Sequence, residues 1–203
     1  EDKIYLFTLL IISILLSIFI IKNFSSHFLI NTILISSALY LFFITFRDFF
    51  SKRFKNLAQN TAHFGFSLLI LSILFNSLFS SEIITNLKVG QTFENTKAKI
   101  VFESLSQKEG ENYKSIIGNF IVQDSKGKIE NLSPELRIYN QPNITTSEAD
   151  IKTTLLSDKF IVINLVQNQE FFNVRYQVKP FMLWIWISVI LISIGGLISF
   201  VKK

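Results

Sequence analysis

Four uncharged apolar runs constrain this 203-residue chain more than any other feature: residues 4–21, 28–46, 61–79 and 181–201. Each is 18 to 21 residues long. At about 1.5 Å of rise per residue, each is long enough as a helix to cross a hydrocarbon core roughly 30 Å thick. The pattern predicts a membrane protein, an α-helical transmembrane bundle of four spans with an inserted extramembrane all-β domain. Residues 1–80 carry three spans, 81–178 form the external domain and 179–203 carry the last span. The first run is longer than a signal-peptide core and is not followed by a small-residue cleavage motif, so it is expected to stay in the membrane. Glu1 is not a translation start, which reads as the interior of a longer polypeptide or the product of processing.

Charge at the span ends sets the expected orientation, because Lys and Arg in short loops are retained on the cytoplasmic side. Residues 47–55 hold four basic side chains, Arg47, Lys52, Arg53 and Lys55, whereas residues 22–27 hold only Lys22. Threading from an inner 47–55 loop places 81–178 outside and Lys202-Lys203 inside. The far end thus agrees with the middle. The expected location is the bacterial inner membrane with a periplasmic β domain, or the mitochondrial inner membrane if the protein is organellar.

The formal net charge of +5 invites a nucleic-acid reading, and its distribution argues against one. Residues 81–178 hold 11 basic and 12 acidic side chains, so the excess lies at the span ends and is topogenic. A nucleic-acid partner would require a basic face on the external part. The chain has no cysteine, which removes disulfides and thiolate ligands or nucleophiles from consideration.

Within the external stretch, residues 97–105, 113–123, 159–166 and 171–178 read as strands. Turn signals at Gly110, 125–127, Pro134, Pro142 and 167–169 separate them. Residues 151–156, after TTSEAD, read as a short helix capped by Thr146 or Ser147. An antiparallel sheet or small barrel is expected, with both membrane connections on one side. Lys179-Pro180 is expected to end the last strand and open the last span, with proline at an early helical position.

His63 is the first candidate for chemistry. An ionisable ring inside an uncharged span calls for a partner, a metal or a polar cavity, because isolated burial in lipid is costly. Phe66, Ser67 and Ile70 follow it at three, four and seven positions and are expected to share its helix face. Gly65 thins the backbone beside it, and Gln59 or Asn60 one turn earlier could orient the ring. The plainer reading is an interfacial histidine bonded to a nearby carbonyl. His27, at the outer end of the second span, reads as solvated. Trp184 and Trp186 read as an aromatic belt and point to different helix faces. Gly195-Gly196 permits close helix approach. In SPELRIY, Pro134, Glu135, Arg137 and Tyr139 read as one face of a sheet more readily than as a recognition edge.

Taken together, the segments AHFG (62–65), SSE (80–82), KVGQ (88–91), ENY (111–113), Gly118, SPELRIY (133–139), TTSEA (145–149), KPFMLWIW (179–186) and Gly195-Gly196 form an ordered set. Over residues 58–203 they resemble the C-terminal part of the CcmF cytochrome c haem lyases of the system I maturation pathway. Residues 1–57 fit only as hydrophobic spans. The resemblance implies a membrane enzyme that receives haem from a haem chaperone and joins its vinyl groups to the cysteines of a Cys-x-x-Cys-His motif in apocytochrome c. It also implies two haem environments, an external substrate haem on a tryptophan-rich segment and an intramembrane haem b held by two histidines. His63 matches the intramembrane ligand, so it is the expected cofactor-binding and haem-iron residue; no catalytic residue is assigned.

The tryptophan-rich segment is not in this sequence, and there are two histidines only. The substrate-haem platform is therefore expected on another part of the protein or on a separate polypeptide, and this chain is not expected to be catalytic alone. The expected partners are that remaining lyase segment or subunit, the haem chaperone, apocytochrome c with its thiol-handling assembly factors, and membrane lipid, but no nucleic acid. The alternative is a non-catalytic membrane scaffold whose external domain docks cytochrome c assembly partners. A transporter is disfavoured, since the spans lack paired charges and broken helices.

Overall fold

A computed structural model describes residues 2–22, 27–50, 56–125, 127–166 and 170–201. The chain divides into two compact units, one helical (Glu1–Ser80, Leu155–Ser157, Lys179–Lys203) and one of strands (Ser81–Thr154, Asp158–Val178).

The helical unit contains α1 (Asp2–Ile21), α2 (Phe28–Phe50), α3 (Leu57–Phe79) and α4 (Met182–Val201). All four are long and apolar enough to cross a membrane. Sequence neighbours pack together: α1 on α2, α2 on α3, and most extensively α3 on α4. With lipid on the outside as apolar as leucine, such contacts depend on close approach and polar ties rather than on hydrophobic exclusion. Both devices are present, a polar tie between Thr45 of α2 and Ser67 of α3 and small buried serines on α1. Ser13 and Ser17 of α1 are fully buried, each bonded to its own backbone (Ser13 Oγ to Leu9 O, 2.8 Å; Ser17 Oγ to Ile14 O, 2.8 Å). Ile21, Ile35, Ala38, Leu39 and Leu71 form the apolar seam.

Two helix boundaries differ from the apolar runs by a full turn. α2 continues past Phe46 through Arg47 and Asp48, and α3 begins at Leu57 rather than Thr61. Arg47 pairs with Asp48 (3.1 Å) and lies 5.0 Å from the centre of the Tyr5 ring, so the charged turn is stabilised within the helix pair. Lys52, Arg53, Lys55, Lys202 and Lys203, which carry most of the orientation argument, lie outside the described residues.

The strand unit is a two-sheet sandwich rather than a barrel. In chain order its strands are β1 (Ser81–Leu87), β2 (Thr92–Glu94), β3 (Ala98–Glu109), β4 (Tyr113–Asp124), β5 (Ile129–Leu132), β6 (Glu135–Tyr139), β7 (Thr145–Glu148), β8 (Asp150–Thr153), β9 (Ser157–Leu165) and β10 (Phe172–Pro180). One sheet runs β1-β10-β9-β8; the other runs β2-β3-β4-β6-β7, with β5 also on β4. Alternating residues of both sheets meet in one core that includes Ile83, Ile100, Phe102, Phe120, Leu132, Ile161, Ile163 and Val174. Phe102 stacks on Phe120 at 4.3 Å between ring centres and meets the edge of Phe172 at 5.6 Å. Gly118 leaves the space for this: a Cβ there would lie 2.7 Å from the Phe120 ring.

One charged group enters this unit with its partners. Lys159 is 8% exposed and reaches Asp124 (3.0 Å) and Glu130 (3.1 Å), while Glu130 also takes Lys128 (2.7 Å). Burial alone would lower the Lys159 ammonium, but its bonds to Asp124 and Glu130 outweigh that and hold it above the ordinary lysine value. Burial alone would likewise raise Glu130, and the bonds from Lys128 and Lys159 hold it below.

Two expectations fail here. Residues 151–156 are not a capped helix: Asp150–Thr153 pairs antiparallel with β9, Asp150 opposite Ile161 and Thr153 opposite Asp158. The β-branched Ile151 and Thr153 suit a pleated strand, and pairing across a short turn supplies the backbone bonds that an isolated helical turn would lack. Thr146 and Ser147, the expected caps, lie in β7. Pro180 is the last residue of β10 and not the first of a helix. Phe181 turns the chain into α4 with φ of 60°, a conformation that costs a bulky residue about 1–3 kcal/mol. The turn residues 167–169 lie outside the described residues.

Candidate functional site

Four local contacts fix the rotation of α3 around His63. Asn60 Nδ2 donates to the Asp48 carbonyl (3.0 Å). Phe64 inserts among α2 rings, stacked on Phe49 at 4.9 Å with Phe42 and Phe46 at 5.8 and 5.9 Å. Ser67 is buried, its hydroxyl 2.5 Å from the Thr45 hydroxyl of α2. Gly65 faces α4 so closely that a Cβ would lie 2.9 Å from the Ile192 nitrogen. With residues 60, 64 and 67 pinned to α2 and 65 to α4, the strip between those faces is left uncovered within this unit.

His63 lies on that strip and is exposed, with Gln59 one turn before it and Phe66 (54% exposed) and Ile73 (49% exposed) beyond. At about 1.5 Å per residue it sits roughly 9 Å along α3. The expected face is therefore corrected in two places. Ser67 points into the α2 contact instead of sharing the open strip, because 40° of helical rotation carries it across the boundary. Ile70 is half-buried and packs on the α1–α2 seam. Asn60 is committed to α2, which leaves Gln59 as the amide on the open side. A cleft of about 350 Å³, lined by Gln59, Ala62, Gly195, Gly196 and Ser199 among others, opens beside this turn.

Gly195 and Gly196 divide their roles. A Cβ on Gly195 would lie 2.7 Å from the Ala62 nitrogen and 2.8 Å from the Ala58 carbonyl, so its hydrogen is what lets α4 approach α3. Gly196 has open space around it. His27 is exposed at the start of α2, where its carbonyl accepts from Asn31 N (3.1 Å). Trp186 is 62% exposed, whereas Trp184 donates Nε1–H to the Leu155 carbonyl (2.8 Å). The two tryptophans do not converge.

On the sandwich, Glu135, Arg137 and Tyr139 share one sheet face, as alternation predicts. Arg137 bonds Glu135 (3.0 Å) and lies 5.1 Å from the centre of the Tyr113 ring, which pairs with Tyr139 at 5.4 Å. Burial works to raise Glu135, yet Arg137 and Ser115 hold its carboxyl below the usual value. The set is internally satisfied. Leu136 points the other way and is buried.

The CcmF C-terminal beta-sandwich family matches residues 78–180. Cytochrome c-type biogenesis protein ccl1 of Rhodobacter capsulatus is 30% identical over 142 residues, 70% of this chain and 22% of its own length. Cytochrome c-type biogenesis protein CcmF of Pseudomonas aeruginosa is 28% identical over 138 residues, 68% of this chain and 21% of its own. The chain thus spans about a fifth of the length of these relatives. A solved structure titled Cytochrome c Heme Lyase CcmF shares the fold with a TM-score of 0.71 at 15% identity, over 97% of this chain and 34% of that one. Four apolar helices carrying an inserted sandwich, and a match that takes in the whole of that sandwich, have one conclusion: the chain is a multi-pass membrane protein that belongs to the CcmF family of cytochrome c biogenesis proteins.

Proposed function

We propose that this chain is the C-terminal portion, or a split subunit, of a cytochrome c haem lyase, and that His63 supplies one axial ligand of an intramembrane haem b. Family membership supports the first part. The observation that carries the second is the placement of His63: an imidazole on an uncovered strip of a membrane helix whose rotation is fixed on both flanks.

The donor set fits the group. His63 offers a nitrogen to iron with no competing hydrogen bond among the described residues, and the exposed Phe66 and Ile73 provide an apolar wall one and three turns on. A haem b held there would supply a one-electron couple. The work of this chain is to bind and orient. Phe64, Ser67 and Gly65 keep the imidazole from rotating toward α2 or α4, and the apolar strip keeps water from the ring. Haem there would be held by His63 together with a second histidine from a helix outside this chain. The basic 47–55 loop supports a periplasmic sandwich at the inner membrane, and the proposed partners are apocytochrome c, its thiol-handling factors and a haem chaperone.

Replacing His63 by Ala in the complete assembly tests the ligand assignment. The helices should still insert, the low-spin bis-histidine spectrum should be lost or strongly weakened, and His63→Gly should recover it with added imidazole. Unchanged haem content and spectrum in His63→Ala would leave the residue an interfacial histidine. The reading of the chain as a docking scaffold would then take its place.

A further inference from the structure

The turn between β8 and β9 belongs to the helical unit, not to the strand unit from which its two strands come. Its two central residues, Leu155 and Leu156, are 69% and 67% exposed. Two adjacent leucines at a hairpin tip are unusual, since tips are normally built from polar residues and glycine. Water alone gives no reason for them.

The backbone of the same turn is provided for by Phe181 and the first turn of α4. Leu156 O accepts from Phe181 N (2.9 Å), and Leu155 O accepts from the Trp184 indole (2.8 Å). At a surface tip in water these carbonyls would need no protein donor. In a medium poor in water, each would have to find one. Phe181 adopts its φ of 60° at this junction, and Asn76 Nδ2, near the end of α3, bonds the Pro180 carbonyl beside it (2.5 Å). The turn, the end of α3 and the start of α4 are thereby bonded into one group, with apolar side chains outward and polar atoms inward. Trp184, with an apolar body and one N–H, has the chemistry of a residue at the headgroup level. Trp186, one residue past it on another face, is exposed.

We propose that the β8–β9 turn is a lipid-contacting element: Leu155 and Leu156 sit among the phospholipids of the leaflet at which α3 ends and α4 begins. The occupant is lipid rather than a protein, because the leucines continue the apolar surface of a membrane-spanning unit and their backbone is capped from that same unit. The element would act as a third point of membrane attachment for the stretch between α3 and α4, beyond its two covalent connections at α3–β1 and β10–α4. It is independent of whether His63 binds haem.

The absence of cysteine makes the test direct. Leu155→Cys, Leu156→Cys and, as reference, Ile129→Cys on β5 (62% exposed) would each be labelled with an environment-sensitive nitrobenzoxadiazole probe. The full chain would be placed in phosphatidylcholine nanodiscs with or without lipid carrying a nitroxide near the headgroup. Probes at 155 and 156 should emit to the blue of the one at 129, be quenched severalfold more by nitroxide lipid, and resist aqueous iodide. Iodide quenching at 155 and 156 equal to that at 129 would overturn the proposal. Protection from both quenchers would also overturn it, because it would show the turn covered by protein.

Discussion

The hydroxyls of Thr45 and Ser67 lie 2.5 Å apart, buried between α2 and α3, one helical turn beyond His63. Each also has a carbonyl on its own helix within reach, Leu41 O at 2.9 Å for Thr45 and Phe64 O at 2.9 Å for Ser67. Loss of either hydroxyl therefore leaves the survivor a partner. A double cycle of Thr45→Val and Ser67→Ala should give a coupling of about 1 kcal/mol, the usual scale for such ties in membranes. Unfolding in mild detergent would measure it, and additivity of the two changes would remove this contact from the list of what holds α3 in place.

The adjacent glycines should respond unequally. Gly195→Ala drives a methyl group against the Ala62 backbone and should weaken the α3–α4 contact by about 1–3 kcal/mol, the range for overpacking. Gly196→Ala meets open space and should leave stability unchanged or slightly improved through helix propensity. Thermal melts of the two variants side by side suffice, and equal losses would contradict the close approach at Gly195.

Acid and alkali should both loosen the sandwich through Lys159. Glu130 titrates below its ordinary 4.5 when folded, so its contribution is full above that value and disappears as pH falls through the lower folded one. Lys159 titrates above its ordinary 10.5, so its contribution is full below 10.5 and fades as pH rises past the folded value. Lys159→Met takes the shared ammonium from Asp124 and Glu130, leaves Glu130 with Lys128, and should cost about 1–3 kcal/mol near neutrality. Because it removes a cation that lowers the proton affinity of Glu130, the variant should also lose less stability than the parent at acid pH. A flat difference between the two across the acid range would argue against the network.

Orientation is open to proteolysis. If the basic loop retains 47–55 inside, as proposed, protease added outside intact spheroplasts should digest residues 81–178. Cleavage seen only after lysis would invert the arrangement.

The helices were legible because charge interrupts them so rarely, and their ends were misread for the same reason. Arg47 and Asp48 look like a boundary until the pair between them and the Tyr5 ring supply what lipid does not. The long strands showed themselves by alternation, as in Ile100 and Phe102 or Phe120 and Val122. β8 did not, because a four-residue strand is defined by its partner in β9, and pairing of that kind is invisible to a local window. His63 could be singled out from its type and span. Its direction could not, since that is decided by Phe49 and Thr45 on another helix and by Ile192 more than a hundred residues away.

β1 pairs with β10 along its whole length, Ser81 opposite Val178 through Leu87 opposite Phe172, so the first and last strands of the sandwich are neighbours. For α3 and α4 this changes the entropy of meeting. Two helices joined by a slack segment of about a hundred residues would give up about 4 kcal/mol in closing that loop. Once the sandwich has folded, the closure is already made, and the second pair of helices meets as though joined by a short connector. The inserted domain is thus also a tether, and replacing it with a brief turn that preserves the strand spacing should leave the helix pair intact.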